Sequence, residues 1–104
     1  MAQHIGCIKQ DENGVLIEDS DLNFAIINEL LWELDSKKEK YPWLLTIPPY
    51  ADATFNDLQR PYIVAELKKL SFEVNSDLIP IIDSLIAFIE SVNSPHIYIT
   101  FVGD

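Results

Sequence analysis

The sequence predicts an α+β fold: an antiparallel sheet made of an N-terminal hairpin and the C-terminal strand, with room for a fourth short strand and about three helices packed on one face. Three observations predict it. Two short β-branched runs flank the turn sequence DENG, two segments in the second half carry apolar residues at helical spacing, and the chain closes on the alternating run HIYITFV. With 104 residues, the chain suits a single domain, 1–104, around one core.

Residues 3–9 (QHIGCIK) and 15–18 (VLIE) read as the hairpin strands, with Asn13 and Gly14 able to take positive φ between them. Ser20 or Asp21 then caps a helix reaching about Asp35, whose first-turn acids suit the helix dipole. Leu22, Ile26, Ile27, Leu30, Leu31 and Leu34 form its stripe, widened by Phe24, Ala25 and Trp32. Only Asn23, Asn28, Glu29 and Glu33 remain for a polar side, so this helix is expected to pack on more than one face. The KKEK run at 37–40 marks an exposed helix end.

Trp43–Ile47 lies between prolines, which restricts it to an edge strand or an extended loop. Trp43 and Tyr50 are expected as lids over the core edge, with contact to a partner as the second reading. From Tyr50 onward, Asp52, Thr54, Asn56 and Asp57 have short side chains that bond nearby backbone, and Phe55 anchors them. Pro61 suits the first turn of a helix whose face is Tyr62, Ile63, Ala65, Leu67 and Leu70. Asp77 is the expected cap of the last helix, with Pro80 in its first turn. Leu78, Ile82, Leu85, Ile89 and Val92 share one side of it, broadened by Ile81, Ile86 and Phe88. In the closing strand Ile97, Ile99 and Phe101 point one way, and Tyr98, Thr100 and Val102 the other. Being apolar on both faces, it belongs inside the sheet beside the hairpin, with the Asp104 carboxylate at a sheet end.

Seventeen acids against seven bases give a formal charge of −10. Such a surface repels nucleic acid and anionic membranes and suits a basic protein. The hairpin acids Asp11, Glu12, Glu18, Asp19 and Asp21 have no base among them, so their repulsion is either tolerated or used. Cys7 is the only cysteine and reads as a small core residue in a reducing compartment. The start lacks the basic and apolar run of a signal peptide, and Leu78–Val92 is interrupted by Asp83 and Glu90, so the expected location is cytoplasmic.

Catalytic and cofactor signatures are weak. His4, His96 and Cys7 can be drawn as metal ligands, yet no CxxC or HxxxH pair supports them, and no metal or other cofactor is expected. GxSxG, P-loop and GxGxxG patterns do not occur. Glu29/Glu33 and Asp52/Asp57 are carboxylate pairs in a chain rich in carboxylates, so an enzyme is not the expected class. Asp52, Asn56, Gln59 and Arg60 around Phe55 form the best polar cluster. Capping chemistry accounts for them first, with Arg60 pairing to Asp52 or Asp57, and a recognition loop is the alternative.

The pattern Pro49-Tyr50-x-Asp52-x-x-Phe55-Asn56-x-x-Gln59, then Glu66-Leu67, then Tyr98-x-x-Phe101-x-Gly103-Asp104 resembles a group of small acidic bacterial immunity proteins of toxin systems. The resemblance covers about the second half of the chain. It departs at Ala51, where the group tends to have glycine, and at Pro48, where it tends to have Asp. It implies a cytoplasmic protein that neutralises a cognate toxin by stoichiometric occlusion, and it carries over no catalytic residue. The acids expected to meet a basic toxin are Asp11, Glu12, Glu18, Asp19 and Asp21, with Glu29 and Glu33 as a second row. The alternative is a small homodimeric interaction or regulatory module that pairs through its apolar helices.

Overall fold

The computed structural model describes residues 4–34 and 37–103. Strands β1 (Gly6–Asp11), β2 (Leu16–Asp19), β3 (Ala53–Phe55) and β4 (Ile97–Val102) form one antiparallel sheet in the order β2-β1-β4-β3. Helices α1 (Ala25–Glu33), α2 (Lys37–Lys40), α3 (Arg60–Leu70) and α4 (Ile79–Glu90) complete the α+β fold. The expected end of the first helix at Asp35, the strand start at Gln3 and the terminal Asp104 lie outside the described residues.

Strand alternation sets the layers. Cys7 pairs with Phe101 and Phe101 with Ala53, while Lys9 pairs with Ile99 and Ile99 with Phe55. These rows share one face with Ile5 and pack against Ile27 and Leu31 of α1, Ile63, Leu67 and Leu70 of α3, and Ile82, Leu85 and Ile89 of α4. Phe101 holds the centre, with Phe24 at 5.1 Å and Phe55 at 6.1 Å between ring centroids. The opposite face carries a polar row. The Thr100 hydroxyl donates to Gln10 Oε1 at 2.7 Å and lies 2.9 Å from the Thr54 hydroxyl, which accounts for a threonine buried in the central strand.

The first helix begins later than expected, at Ala25, because the preceding residues are occupied elsewhere. Phe24 N–H donates to the Ile5 carbonyl, and Asn23 Oδ1 accepts from both Ile5 N–H and Ala25 N–H at 2.9 Å. Asp21 therefore lies outside the first turn. Nor does α1 pack on several sides: Ala25, Ile27, Asn28 and Leu31 are buried while Ile26 and Trp32 are about half exposed. Asn28, expected on the polar side, is buried and donates to the Ile47 carbonyl.

The Trp43–Ile47 run is neither edge strand nor extended loop but a 3₁₀ turn, Leu44–Thr46. Its cause is Glu66. That side chain is buried, and its carboxylate accepts Trp43 N–H at 3.0 Å and Leu44 N–H at 2.9 Å, satisfying the donors that open the turn. Trp43 is a lid, stacked on Tyr62 at 5.2 Å, which turns Tyr62 outward and replaces it in the buried face of α3 by Val64 and Glu66; Ala65 is likewise exposed. The fourth strand is β3, in the segment read as a loop. Pro61 and Pro80 sit in first turns as expected, though Leu78 rather than Asp77 holds the cap position of α4.

Burial raises the pKa of Glu66, against the opposing pull of its backbone hydrogen bonds and of Lys69. The folded protein then holds this proton more tightly than the unfolded chain. As pH climbs from the ordinary carboxylate value through the raised one, the Glu66 contribution to stability falls. Glu73 acts oppositely: hydrogen bonds from Lys40 and then Tyr41 lower its pKa, and its contribution is lost as pH drops through that lowered value. Glu66→Ala should cost about 2–3 kcal/mol in urea unfolding, since two enclosed N–H groups lose their acceptor. Glu66→Gln keeps one oxygen facing both donors, should cost under about 1 kcal/mol, and should remove the mildly acidic decline.

Candidate functional site

Turn chemistry in the hairpin builds an acidic edge. Asp11 Oδ1 accepts Asn13 N–H and Val15 N–H, both at 2.9 Å, while its carbonyl accepts Gly14 N–H. Gly14, at φ 80°, is the one residue of the tip in the left-handed region; Asn13 is not. Asp19 accepts Asp21 N–H at 2.9 Å, and Asp21 takes φ 59°, a conformation that Asp tolerates better than most side chains. Asp11 is thus half occupied in holding the turn, and Glu12, Glu18, Asp19 and Asp21 are exposed.

Beneath them lies a base, at the last residue of the expected first strand. Lys9 is buried, its ammonium 2.8 Å from Glu18, 2.6 Å from the Ser91 hydroxyl and 4.4 Å from the centre of the Phe88 ring. The hairpin acids are therefore not without a base, and Glu18 is partly neutralised. Glu12 lies 3.3 Å from His96 Nδ1. Between the acids, Val15 is 59 % exposed just before the edge strand β2, and Leu16 and Ile17 are 57 % and 50 % exposed on it. Exposed apolar side chains with a charged rim have the composition of a protein interface.

The second row lies in a different place. Glu29 and Glu33 of α1 line a groove of about 300 Å³ with Ala25, Asn28 and Trp32 on the same helix and Pro49 and Tyr50 opposite. Tyr50, expected as a lid, is 57 % exposed and forms a wall of this groove.

The polar cluster around Phe55 divides by role. Asn56 Oδ1 accepts Gln59 N–H at 3.0 Å, and Gln59 Oε1 accepts Asn56 N–H at 2.9 Å, a reciprocal capping box at the entry to α3. Phe55 is a core residue, and Asp52 is exposed. Arg60 donates to the Ile97 carbonyl at 2.7 Å, tying α3 to the start of β4 in place of the expected ion pair with Asp52 or Asp57. The two ends of the pattern meet in space. The backbone at Gly103 lies so close to Ala51 that a Cβ would stand 2.6 Å from both its nitrogen and its oxygen.

His4 and His96 are at opposite ends of the sheet, because antiparallel pairing sets the start of β1 beside the end of β4. Among the described residues no group of three or more His, Cys, Asp or Glu is placed to hold a metal ion. Cys7 is fully buried, and burial first, then the nearby Asp19 charge, push its thiol up to about 12. No described helix is long and apolar enough to cross a membrane. Family models, curated proteins and solved structures were each compared with the chain, and none matches.

Sequence reasoning missed Lys9 and Glu66, though both carried a signal. Lys9 follows Ile5 and Cys7 at the strand period of two, and Glu66 falls between Ile63, Leu67 and Leu70 on the helical stripe. The strand run 3–9 includes Lys9 and the resemblance pattern includes Glu66, but neither carries a prediction of burial.

Lys9→Met should keep the stem packed on Phe88 and leave Glu18 in water, so stability should change by less than about 1 kcal/mol in urea unfolding. Gly103→Ala should lose about 1–3 kcal/mol, because the obstructing atoms are backbone.

Proposed function

We propose that the chain is an immunity-type protein that binds a basic bacterial toxin and blocks it by stoichiometric occlusion, without turnover. The observation that carries this reading is the hairpin edge. Glu12, Glu18, Asp19 and Asp21 flank the exposed apolar run Val15–Ile17, and among the described residues they are offset by the buried Lys9 at Glu18 and the His96 ring at Glu12. Acids held out in this way contribute repulsion to the isolated fold and attraction to a cationic surface. A net charge of −10 adds long-range steering toward such a partner, and the resemblance of the second half of the chain to immunity proteins points in the same direction.

A homodimer is the second reading. It draws on Ile26 and Trp32, which α1 leaves about half exposed, and light scattering tests it directly. Self-pairing along α1 also brings Glu29 and Glu33 toward their own copies, which opposes it.

The deciding experiment pairs the chain with the product of the neighbouring gene. A one-to-one complex that suppresses the toxicity of that product is the expected result. Association should slow by about tenfold at low salt in the variant Glu12→Gln/Asp19→Asn/Asp21→Asn, with a shallower dependence on ionic strength. An unchanged association rate at low salt removes the hairpin from the interface. A neighbouring product that neither binds nor is harmful overturns the immunity reading.

A further inference from the structure

We infer that the groove between α1 and the Pro49–Tyr50 turn is an anchor site for one arginine side chain from the basic protein partner. This inference rests on the reading of the chain as an acidic binder, and it adds a specific residue chemistry at a place separate from the hairpin. Helical spacing fixes one wall. Ala25, Glu29, Trp32 and Glu33 recur at intervals of three and four residues, so they rise along a single side of α1. Pro49 and Tyr50 close the other wall, and the space between, about 300 Å³, is at the lower end of the range of roughly 300–1,000 Å³ for small-molecule pockets.

The lining of the groove selects the occupant. Its walls are largely apolar, with Trp32 49 % and Tyr50 57 % exposed, and among the described residues the charged groups that line it are the carboxylates of Glu29 and Glu33. These two acids stand one helical turn apart, where like charges repel. A long side chain with an apolar stem and a cationic end meets all three features: the stem covers the walls, the cation relieves the repulsion, and the ring faces attract it. Arginine fits better than lysine because its planar guanidinium stacks on aromatic rings and bonds carboxylates through a fork of N–H donors. The larger groove between α3 and α4 offers no such match. It is lined by both signs, and Lys68 already stands 3.6 Å from Glu90 there. A second copy of the chain would bring more negative charge to the site, so charge complementarity favours the basic partner.

The test uses the peptide acetyl-Ala-Arg-Ala-amide, with citrulline and norleucine counterparts, followed by NMR on the full chain. The arginine peptide should shift the Trp32 indole resonance and the amides of Glu29, Glu33 and Tyr50 in a saturable way. The uncharged citrulline peptide and the variant Glu29→Gln/Glu33→Gln should each weaken binding at least about tenfold. The hairpin variant Glu12→Gln/Asp19→Asn/Asp21→Asn should bind the arginine peptide as the parent does. Shifts that never saturate, that persist in Glu29→Gln/Glu33→Gln, or that spread equally over the hairpin overturn the inference. So does a Trp32 resonance that moves with protein concentration alone, which would make a second copy the occupant. Should the hairpin variant associate with the toxin at the parent rate while the groove still takes the peptide, the hairpin assignment fails and the anchor site stands. Slowed toxin association with no peptide binding sinks the anchor site alone.

Discussion

One buried carboxylate fixes the path of the middle of the chain. Glu66 leaves α3 toward the core and receives the N–H groups of Trp43 and Leu44, so the stretch after α2 is pinned to α3 before β3 is reached. Neighbouring contacts then follow: Trp43 stacks on Tyr62, Leu44 and Ile47 enter the core, and the Ile47 carbonyl receives the Asn28 side chain from α1. A charge in this position is costly to desolvate, as its raised pKa records, and the backbone donors offset that cost. Pro48, Pro49 and Tyr50 follow this pinned segment, and Pro49 and Tyr50 line the groove opposite α1.

Charge is used in two ways in this molecule. Asp11 and Asn56 fold their side chains back on the local backbone and set a hairpin tip and a helix start. Asp21, Glu29 and Glu33 are exposed to solvent, and Glu12, also exposed, reaches the exposed His96 ring. Lys9 stands between the two uses, since it neutralises part of the hairpin and holds β1 against the end of α4 through Ser91 and Phe88. The acidity of the surface is therefore lower at Glu18 than a count along the chain implies. Asp19 and Asp21, farther along the same edge, have no such counterion beside them in sequence.

Close backbone contact joins the end of β4 to the groove. Gly103, following β4, abuts Ala51, and Ala51 follows Tyr50 in the groove wall. The register of β3 against β4 extends naturally to this pair, so the position of Tyr50 depends on how β4 ends. Sheet pairing, rather than any contact within the loop, holds that wall of the groove in place.

Local chemistry by itself determined the hairpin, the prolines at the starts of α3 and α4, the apolar face of α4 and the interior place of β4, because each rests on side chains within a few residues of one another. The α+β class follows from those elements. Only the tertiary structure decided where the first helix begins, since Asn23 and Phe24 bond to Ile5 at a distance in sequence. It also decided that Trp43–Ile47 is a 3₁₀ turn, that Ala53–Phe55 pairs as a strand, and that Lys9 and Glu66 are inside. The physical reason is common to all four. A backbone or charged group takes whatever partner satisfies it, and when that partner lies far along the chain, no local pattern carries its address.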